Sequence, residues 1–399
     1  MKKVALSNII ILLCVIAVAY MIFHDGNHYE KSQYDEPYEF KDMIDFPHSD
    51  VAESNARYYY EQLNETQKKI YDLLERECMK YQSSIKLNKA NREDVRVASY
   101  ALSMDYPEFF WIDQYTYKTL NNNYVVEINY EVPYNVKDVL ENINVVTNQI
   151  FEEMNEAKIE NDYDELKFFY DWIVNHTDYG DVRNSQDIRS VFLEHTSVCA
   201  GYSRAFQYLC KLKNIECTYV VGYTKNNENH GWNLVKLFGK YYWVDVTWGD
   251  PVFAGEQDNE INYNFFLVDD DELFQNHVIE KGIKMVSEYQ NAKEFSYPNC
   301  TDKSLNYYRL HHSLFEEYDK DAVSQYFRDK FYNNIYSDIE LKFENKEDYD
   351  MFLHQYITGK NALIYEDIKA ANRFFFGTML VEYVTIESAN YVKVSVELR

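Results

Sequence analysis

The sequence predicts an α+β fold in which a helix carrying a cysteine packs on an antiparallel sheet. The first observation is a helical pattern of apolar residues over 199–212, namely Ala205, Phe206, Leu209 and Leu212. The second is a change to strand periodicity from residue 215 onward, in the segments IECTYVVGYT, WNLVKLF and YYWVDVTW. Gly239 and Lys240 between the last two segments indicate a hairpin turn. A helical stretch followed by paired strands is typical of the α+β class.

The regions on either side of this core also mix helical and strand patterns. On the N-terminal side, Asn64 and Gln67 form the capping-box pattern N-x-x-Q at the start of a helix. Further helices are predicted over about 92–103, 136–158 and 162–178, with a hairpin formed by YTYKTL and YVVEINYEV. On the C-terminal side, helices are predicted over about 313–332 and 346–358, with the strands IELKF and YVKVSVEL. We therefore expect a helix-rich N-terminal α+β region (56–155), a central domain (156–300) and a C-terminal α+β region (301–399).

The N-terminal 23 residues contain a long apolar segment. Residues 4–23 are almost uncharged and follow Lys2 and Lys3. As a helix, this segment spans the bilayer core of about 30 Å, and the lysines favour a cytoplasmic N-terminus. We expect a single-pass membrane anchor (1–23), a polar linker (24–55) and an extracellular C-terminal bulk. Ala17-Val18-Ala19 resembles a cleavage site, so the alternative is a signal peptide and a secreted protein.

Charge and cysteine content exclude several classes of function. The chain has 66 acidic and 40 basic residues, a net charge of −26, which repels phosphate backbones and argues against nucleic-acid binding. Cys14 lies in the apolar segment, so five of the six cysteines remain outside it and at least one is a free thiol. Cys210 and Cys217 either pack in the core or form a disulfide. No cysteine or histidine spacing is typical of zinc sites, so we expect no metal and no cofactor.

Residues 197–206, SVCAGYSRAF, place Cys199 in the first turn of the predicted helix. The free N–H groups and the dipole at a helix N-terminus favour the thiolate form of a cysteine. A nucleophilic cysteine also needs a base and a group that orients the base. His230 lies just before a strand in NENHGWNLV, and Asp245 lies among aromatic and valine residues in YYWVDVTWGDP. A carboxylate in such surroundings requires a partner, which makes His230 and Asp245 a candidate pair.

The expected hairpin brings these two residues to the same end of the sheet but not into direct contact. A two-residue turn at 239–240 places Asp245 opposite Leu234, four residues short of His230. The sequence therefore predicts that a loop at His230 and Gly231 folds back to close the gap.

The motifs VCAGYSRAFQYL, NHGWNLVKL and YYWVDVTWGDP resemble the transglutaminase-like (papain-related) superfamily, particularly its secreted bacterial members. The order Cys, His, Asp and the spacings of 31 and 15 residues match that family, and the resemblance extends over about 160–275. It implies a transglutaminase-like core in which Cys199 is the nucleophile, His230 the general base and acid, and Asp245 the orienting acid. Gln186 occupies the position where a glutamine of the family often precedes the cysteine. The resemblance implies that Gln186 helps stabilise an oxyanion, although an ordinary loop glutamine is the alternative.

The resemblance implies an exported cysteine-dependent enzyme that acts on peptide or glutamine-type amides through a thioester. We expect a hydrolase of the protease or amidase type, with a protein or peptide substrate that includes cell-wall-associated ones. Two alternatives stay open: a protein-crosslinking transglutaminase, and a non-catalytic cell-surface binding module that has retained the fold.

Overall fold

The computed structural model describes residues 57–120, 124–250, 261–282, 293–372 and 377–399. These residues belong to one compact unit. The predicted anchor (1–23) and the whole of the predicted linker (24–55) lie outside the described residues. No helix in the described part of the chain is long and apolar enough to cross a membrane.

The described part of the N-terminal region contains three α-helices and a three-stranded antiparallel sheet. In chain order these are α1 (Glu65–Cys78), β1 (Ser84–Asn91), α2 (Arg92–Asp105), β2 (Tyr115–Leu120), β3 (Tyr124–Tyr130) and α3 (Val136–Glu156), with the sheet order β1-β3-β2. The predicted capping box is confirmed: the Asn64 side chain accepts from the Gln67 amide at 2.9 Å, and the Gln67 side chain accepts from the Asn64 amide at 3.1 Å. The predicted helices and the hairpin of β2 and β3 are also present. Strand β1 was not predicted, because its buried apolar residues alternate only at Ile85 and Leu87.

The central region places helices against a four-stranded antiparallel sheet. Its elements are α4 (Asp162–His176), β4 (Asp178–Tyr179), β5 (Thr196–Ser197), α5 (Cys199–Leu212), β6 (Glu216–Thr224), β7 (Asn229–Leu237), β8 (Lys240–Val244), α6 (Asp270–Leu273) and β9 (His277–Ile279). The sheet order is β8-β7-β6-β9, and α5 packs on β6 and β7. Strands β4 and β5 form a separate parallel pair just before α5. The predicted α+β fold, with the cysteine helix packed on an antiparallel sheet, is confirmed.

The hairpin of β7 and β8 turns one residue earlier than predicted. Lys240 pairs with Leu237, so the turn residues are Phe238 and Gly239, with φ values of 48° and 77°. Positive φ at both central residues is the type I′ turn, whose twist matches that of the flanking strands. The earlier turn moves the register by two residues, so that Trp243 rather than Asp245 lies opposite Leu234.

His230 therefore needs no loop to bring it toward Asp245. It is the second residue of β7 and pairs with Gly222 of β6, so the predicted loop at His230 and Gly231 is wrong. Asp245 follows directly after the last residue of β8. The regular hairpin itself delivers both side chains to one end of the sheet.

The C-terminal region has its own sheet and core. Its elements are α7 (Tyr307–Leu310), β10 (Leu314–Phe315), α8 (Lys320–Tyr332), β11 (Ile339–Phe343), α9 (Lys346–Phe352), α10 (Ile364–Ala371), β12 (Met379–Ile386) and β13 (Tyr391–Leu398), with the sheet order β10-β11-β13-β12. The two predicted strands and helices are present, but the first helix begins at Lys320 because the Asp319 side chain caps it there. The Lys342 ammonium contacts the Glu272 carboxylate of the central region at 2.7 Å. The domain boundaries stay predictions.

The helix that begins with Cys199 is also held by the N-terminal region. Helix α2 ends before Pro107, which has no N–H, so the Ser103 carbonyl lacks its helical partner. The buried Arg204 guanidinium of α5 donates to that carbonyl at 2.8 Å. One turn later, the buried Gln207 amide donates to the Met104 carbonyl at 2.8 Å. The orphan carbonyls of one helix are thus satisfied by side chains of the other.

We expect Arg204→Met to lower the free energy of unfolding by about 1–3 kcal/mol, because it leaves the Ser103 carbonyl unpaired in the interior. Lys211→Met is the matched control: Lys211 lies on the same helix and pairs with Glu108 of the same region at 2.6 Å, but it is partly exposed. Its loss should cost about 0–1 kcal/mol. Urea denaturation followed by tryptophan fluorescence measures both. Equal effects of the two substitutions would show that the buried contact does not hold the regions together.

Candidate active site

Cys199 is the first residue of α5, and its exposure separates it from the other cysteines. It is half-buried, whereas Cys78, Cys210, Cys217 and Cys300 are buried, and all five are free thiols. The predicted alternative of a disulfide between Cys210 and Cys217 is therefore wrong. Burial raises the pKa of the Cys78 thiol to about 12 and that of Cys210 well above its ordinary value. Among the described cysteines, Cys199 is the accessible one.

Residue 201, two positions after the cysteine, has no room for a side chain. A Cβ at this position would lie 2.0 Å from the Ser197 hydroxyl, 2.6 Å from the Ser190 hydroxyl and 2.7 Å from the Ser185 carbonyl. No side chain fits at those distances, so only glycine lets the first turn of α5 approach this serine cluster. The Ser190 and Ser197 hydroxyls contact each other at 2.7 Å. These contacts fix the position of the first turn of α5.

Two hydrogen bonds join α5 to β7 at the level of the site. The Ser203 hydroxyl donates to the Gly231 carbonyl at 2.9 Å, and the Asn233 side-chain amide donates to the Ser203 carbonyl at 3.0 Å. Ser203 lies one helical turn after Cys199, and Gly231 is the neighbour of His230. These bonds therefore fix the position of the first turn of α5 relative to β7.

His230 and Asp245 form a buried pair. Nε2 of His230 donates to Oδ2 of Asp245 at 2.7 Å, and the carboxylate is fully buried. Oδ1 of Asp245 accepts from the backbone amides of Thr247 at 3.0 Å and Trp248 at 3.2 Å. Because Asp245 occupies Nε2, Nδ1 is the ring nitrogen that is left for Cys199. The carboxylate is held by its backbone partners and in turn holds the imidazole.

The electrostatics of the pair favour a charged imidazole. Burial alone lowers the pKa of His230, but the charge and hydrogen bond of Asp245 and the contact with Cys199 raise that pKa to about 10. Burial alone raises the pKa of Asp245, but the charge and hydrogen bond of His230, with the contact from His277, hold it well below its usual range. At neutral pH the pair is therefore an imidazolium and a carboxylate, and the imidazolium faces the Cys199 thiol.

His277 is a member of this site that the sequence analysis missed. Its Nε2 lies 2.9 Å from Oδ2 of Asp245, the same oxygen that His230 contacts, and the residue is buried. Its ring packs among aromatic side chains: Trp232, Trp248 and Phe265. His277 begins the three-residue strand β9, whose pairing with β6 brings it to the site. So short a strand leaves no periodic signal in the sequence.

His230, Asp245 and His277 offer one ligand atom each within 4.8 Å of one another, an arrangement that resembles a metal site. The two nitrogen–oxygen distances of 2.7 Å and 2.9 Å are those of hydrogen bonds. We therefore describe these residues as a hydrogen-bonded cluster. The expectation of no metal and no cofactor stays a prediction.

Comparison with known families identifies the domain that holds this cluster. Residues 151–248 match the family model of the Transglutaminase-like superfamily, and this segment contains Cys199, His230 and Asp245. The chain carries a transglutaminase-like domain. The family resemblance seen in the sequence is thereby confirmed for this segment.

Several known proteins resemble parts of the chain. The kyphoscoliosis peptidases of Mus musculus and Homo sapiens are each 28% identical over 106 residues, which cover 22% of this chain and 16% of the relative. The chain thus spans a small part of the length of these curated relatives. A solved TGase structure has a TM-score of 0.26 and 15% identity, covering 38% of this chain and 47% of its own. A candidate cysteine protease from Cytophaga hutchinsonii has a TM-score of 0.24 and 17% identity, covering 34% and 61%.

Gln186 lies beside the start of α5 in the transglutaminase-like domain. It directly follows Ser185, whose carbonyl accepts from the Val198 amide at 3.3 Å and from the Ser197 hydroxyl at 3.1 Å. The Gln186 side chain is exposed. Its backbone is thus next to the residue that precedes Cys199, and its role toward an oxyanion stays a prediction.

Iodoacetamide provides a direct test of the cysteine and histidine pair. At mildly acidic pH it should modify Cys199 before the four buried cysteines, because Cys199 is accessible and faces an imidazolium that persists to about pH 10. His230→Ala should slow this modification at least about tenfold, because the partner charge beside the cysteine is removed. Peptide mapping by mass spectrometry gives the rate for each cysteine. Modification of Cys199 only in urea would mean that it is a packing residue.

Proposed function

We propose that the transglutaminase-like domain is a cysteine-dependent hydrolase of peptide or glutamine-type amides. The observation that carries this proposal is the bond of 2.7 Å between His230 Nε2 and the buried Asp245 carboxylate, which leaves Nδ1 of the same ring toward Cys199 at a helix N-terminus. A nucleophile, a base and a group that orients the base are the parts that covalent acyl transfer requires. The peptidase name of the curated relatives supports the same class of reaction.

In the first half-reaction, the Cys199 thiolate attacks the carbonyl carbon of the amide and forms a tetrahedral intermediate. The first-turn amides of α5 and the side chain of Gln186 are the donors that we assign to the oxyanion. The C–N bond then breaks, and the His230 imidazolium gives its Nδ1 proton to the leaving amine. The products are a thioester on Cys199, a free amine and a neutral His230.

In the second half-reaction, neutral His230 takes a proton from water, which attacks the thioester. The C–S bond breaks, the acid is released, and the thiolate and imidazolium are restored. Asp245 keeps Nε2 protonated throughout, so that Nδ1 is the nitrogen that exchanges the proton. A second amine in place of water would give the crosslinking activity of a transglutaminase instead, because the first half-reaction is the same. A surface binding module that has retained the fold would perform neither step.

We expect Asp245→Asn to lower the rate of amide cleavage by about 10⁴-fold, as at the comparable acid of a serine protease triad, because the imidazole loses its orientation and charge partner. Asp269→Asn is the matched control: Asp269 is a similarly buried aspartate of the same region, but it caps α6 and lies outside the cluster. Asparagine is an equally good cap, so this variant should keep full activity.

Intact-mass spectrometry of the wild-type chain with a peptide library should detect an acyl-enzyme, and peptide mapping should place the adduct on Cys199. Partition of that adduct between water and an added primary amine distinguishes hydrolysis from crosslinking. A wild-type rate in Asp245→Asn would remove Asp245 from the mechanism. An adduct that also forms on Cys199→Ala would mean that another residue is the nucleophile.

We also propose that residues 4–23 anchor this domain to a membrane with residues after 24 outside the cell, where protein substrates, including those of the cell wall, are available. The apolar run behind Lys2 and Lys3 supports this placement. A protease added to intact cells should then degrade the C-terminal region, detected with an antibody to it. Complete protection in intact cells, with degradation after lysis, would contradict the proposed orientation.

A further inference from the structure

His277 has a hydrogen-bond arrangement that the proposed chemistry does not use. Its Nε2 lies 2.9 Å from Oδ2 of Asp245, and its Nδ1 lies 3.2 Å from the backbone carbonyl of Leu273. A carbonyl oxygen has no proton to donate, and the Asp245 carboxylate is ionised. Both ring nitrogens therefore face acceptors. Both contacts are hydrogen bonds only if both nitrogens carry hydrogens, which makes the ring an imidazolium.

The neutral alternatives are unfavourable in this position. With one hydrogen on the ring, the lone pair of the other nitrogen would face an oxygen lone pair at close range. The residue is 1% exposed, so water has almost no access with which to relieve that repulsion. The rings of Trp232, Trp248 and Phe265, with centroids 4.7–5.3 Å away, surround the imidazole and exclude water from it.

The two imidazole rings share one counter-charge. Asp245 accepts from both rings on one oxygen, while its other oxygen accepts from two backbone amides. The buried carboxylate is therefore the anion that pairs with a positive charge on either ring.

We propose that His277 is a positioning residue that places a second positive charge beside the Asp245 carboxylate. This charge weakens the attraction between Asp245 and the proton on His230. The inference rests on the proposed function in one respect, since it assigns the benefit to proton transfer from His230 to the leaving amine. Without the second cation, Asp245 would bind the His230 proton more tightly and that ring would be a poorer acid. Because the two imidazoles share the Asp245 carboxylate, the charge on His277 sets the acidity of His230.

The titratable groups in contact with the His277 ring are Asp245 and His230, whose ring centroid is 5.4 Å away. The elements packed against the ring also carry charged residues farther along the chain. These are Lys225 and Glu228 after β6, Asp269, Asp270, Asp271 and Glu272 at α6, and Glu280 after β9. A titration of His230 therefore needs a variant that changes His277 alone.

The test compares three full-length chains, all with Cys199→Ser so that no thiolate contributes to the titration. In the first chain, NMR of labelled histidines at neutral pH should show one-bond N–H couplings at both ring nitrogens of His277. In the second, His277→Gln keeps a donor toward Asp245 but removes the charge. The titration of His230 should then move to higher pH by at least about one unit, a tenfold change in its proton affinity. His354→Gln, at an exposed histidine of the C-terminal region, should leave that titration unchanged.

A single protonated nitrogen on His277, or an unchanged His230 titration in His277→Gln, would overturn the inference. A role in folding alone would lower stability without moving the titration. Because the NMR measurement needs no substrate and no activity, it gives a result even if the proposed hydrolase reaction fails. Loss of that reaction with both expected NMR results would reject the function and retain the role of His277.

Discussion

The buried Asp245 carboxylate is the constraint on which the site depends. An ionised carboxylate that is wholly removed from water is destabilising by several kcal/mol unless it is paired and hydrogen-bonded. This one accepts four hydrogen bonds, two on each oxygen, from Thr247, Trp248, His230 and His277. The donors come from three places in the fold: the turn after β8, the start of β7 and the start of β9. If any of these elements moves, the buried charge loses a partner, so the charge itself opposes displacement of the His230 imidazole.

The sequence identified the local features of this arrangement and missed the ones that depend on pairing between distant segments. Asn64 and Gln67 cap α1 as predicted because both partners lie within one turn of the chain. Cys199, His230 and Asp245 were recognised because their motifs are local and their order is typical of a family. The approach of His230 to Asp245 was misjudged because it depends on one turn residue: a turn at 238–239 rather than 239–240 changes the register by two. His277 was missed because a three-residue strand acquires its position only by pairing with β6.

The glycines near Cys199 and His230 are required by packing. Gly201 is required because a Cβ there would collide with Ser197, and Gly231 because a Cβ would lie 2.7 Å from the Tyr219 ring. Each glycine is adjacent, or nearly so, to a residue of the proposed mechanism, Cys199 or His230. The glycine allows the close approach, and that approach places the side chain of Cys199 or His230. The motif therefore records a packing requirement together with a chemical one.

The segment that matches the family lacks some of the hydrogen-bond partners of the helix that begins with Cys199. Residues 151–248 contain α5 and β6 to β8, yet Arg204 and Gln207 of α5 are buried against carbonyls at the end of α2, far outside that segment. A buried guanidinium and a buried amide without those acceptors would destabilise the helix that presents Cys199. Conversely, the carbonyl of Ser103 depends on Arg204 because Pro107 cannot donate to it. The N-terminal region and the transglutaminase-like domain thus supply each other's missing hydrogen-bond partners. The position of Cys199 is accordingly a property of both regions together.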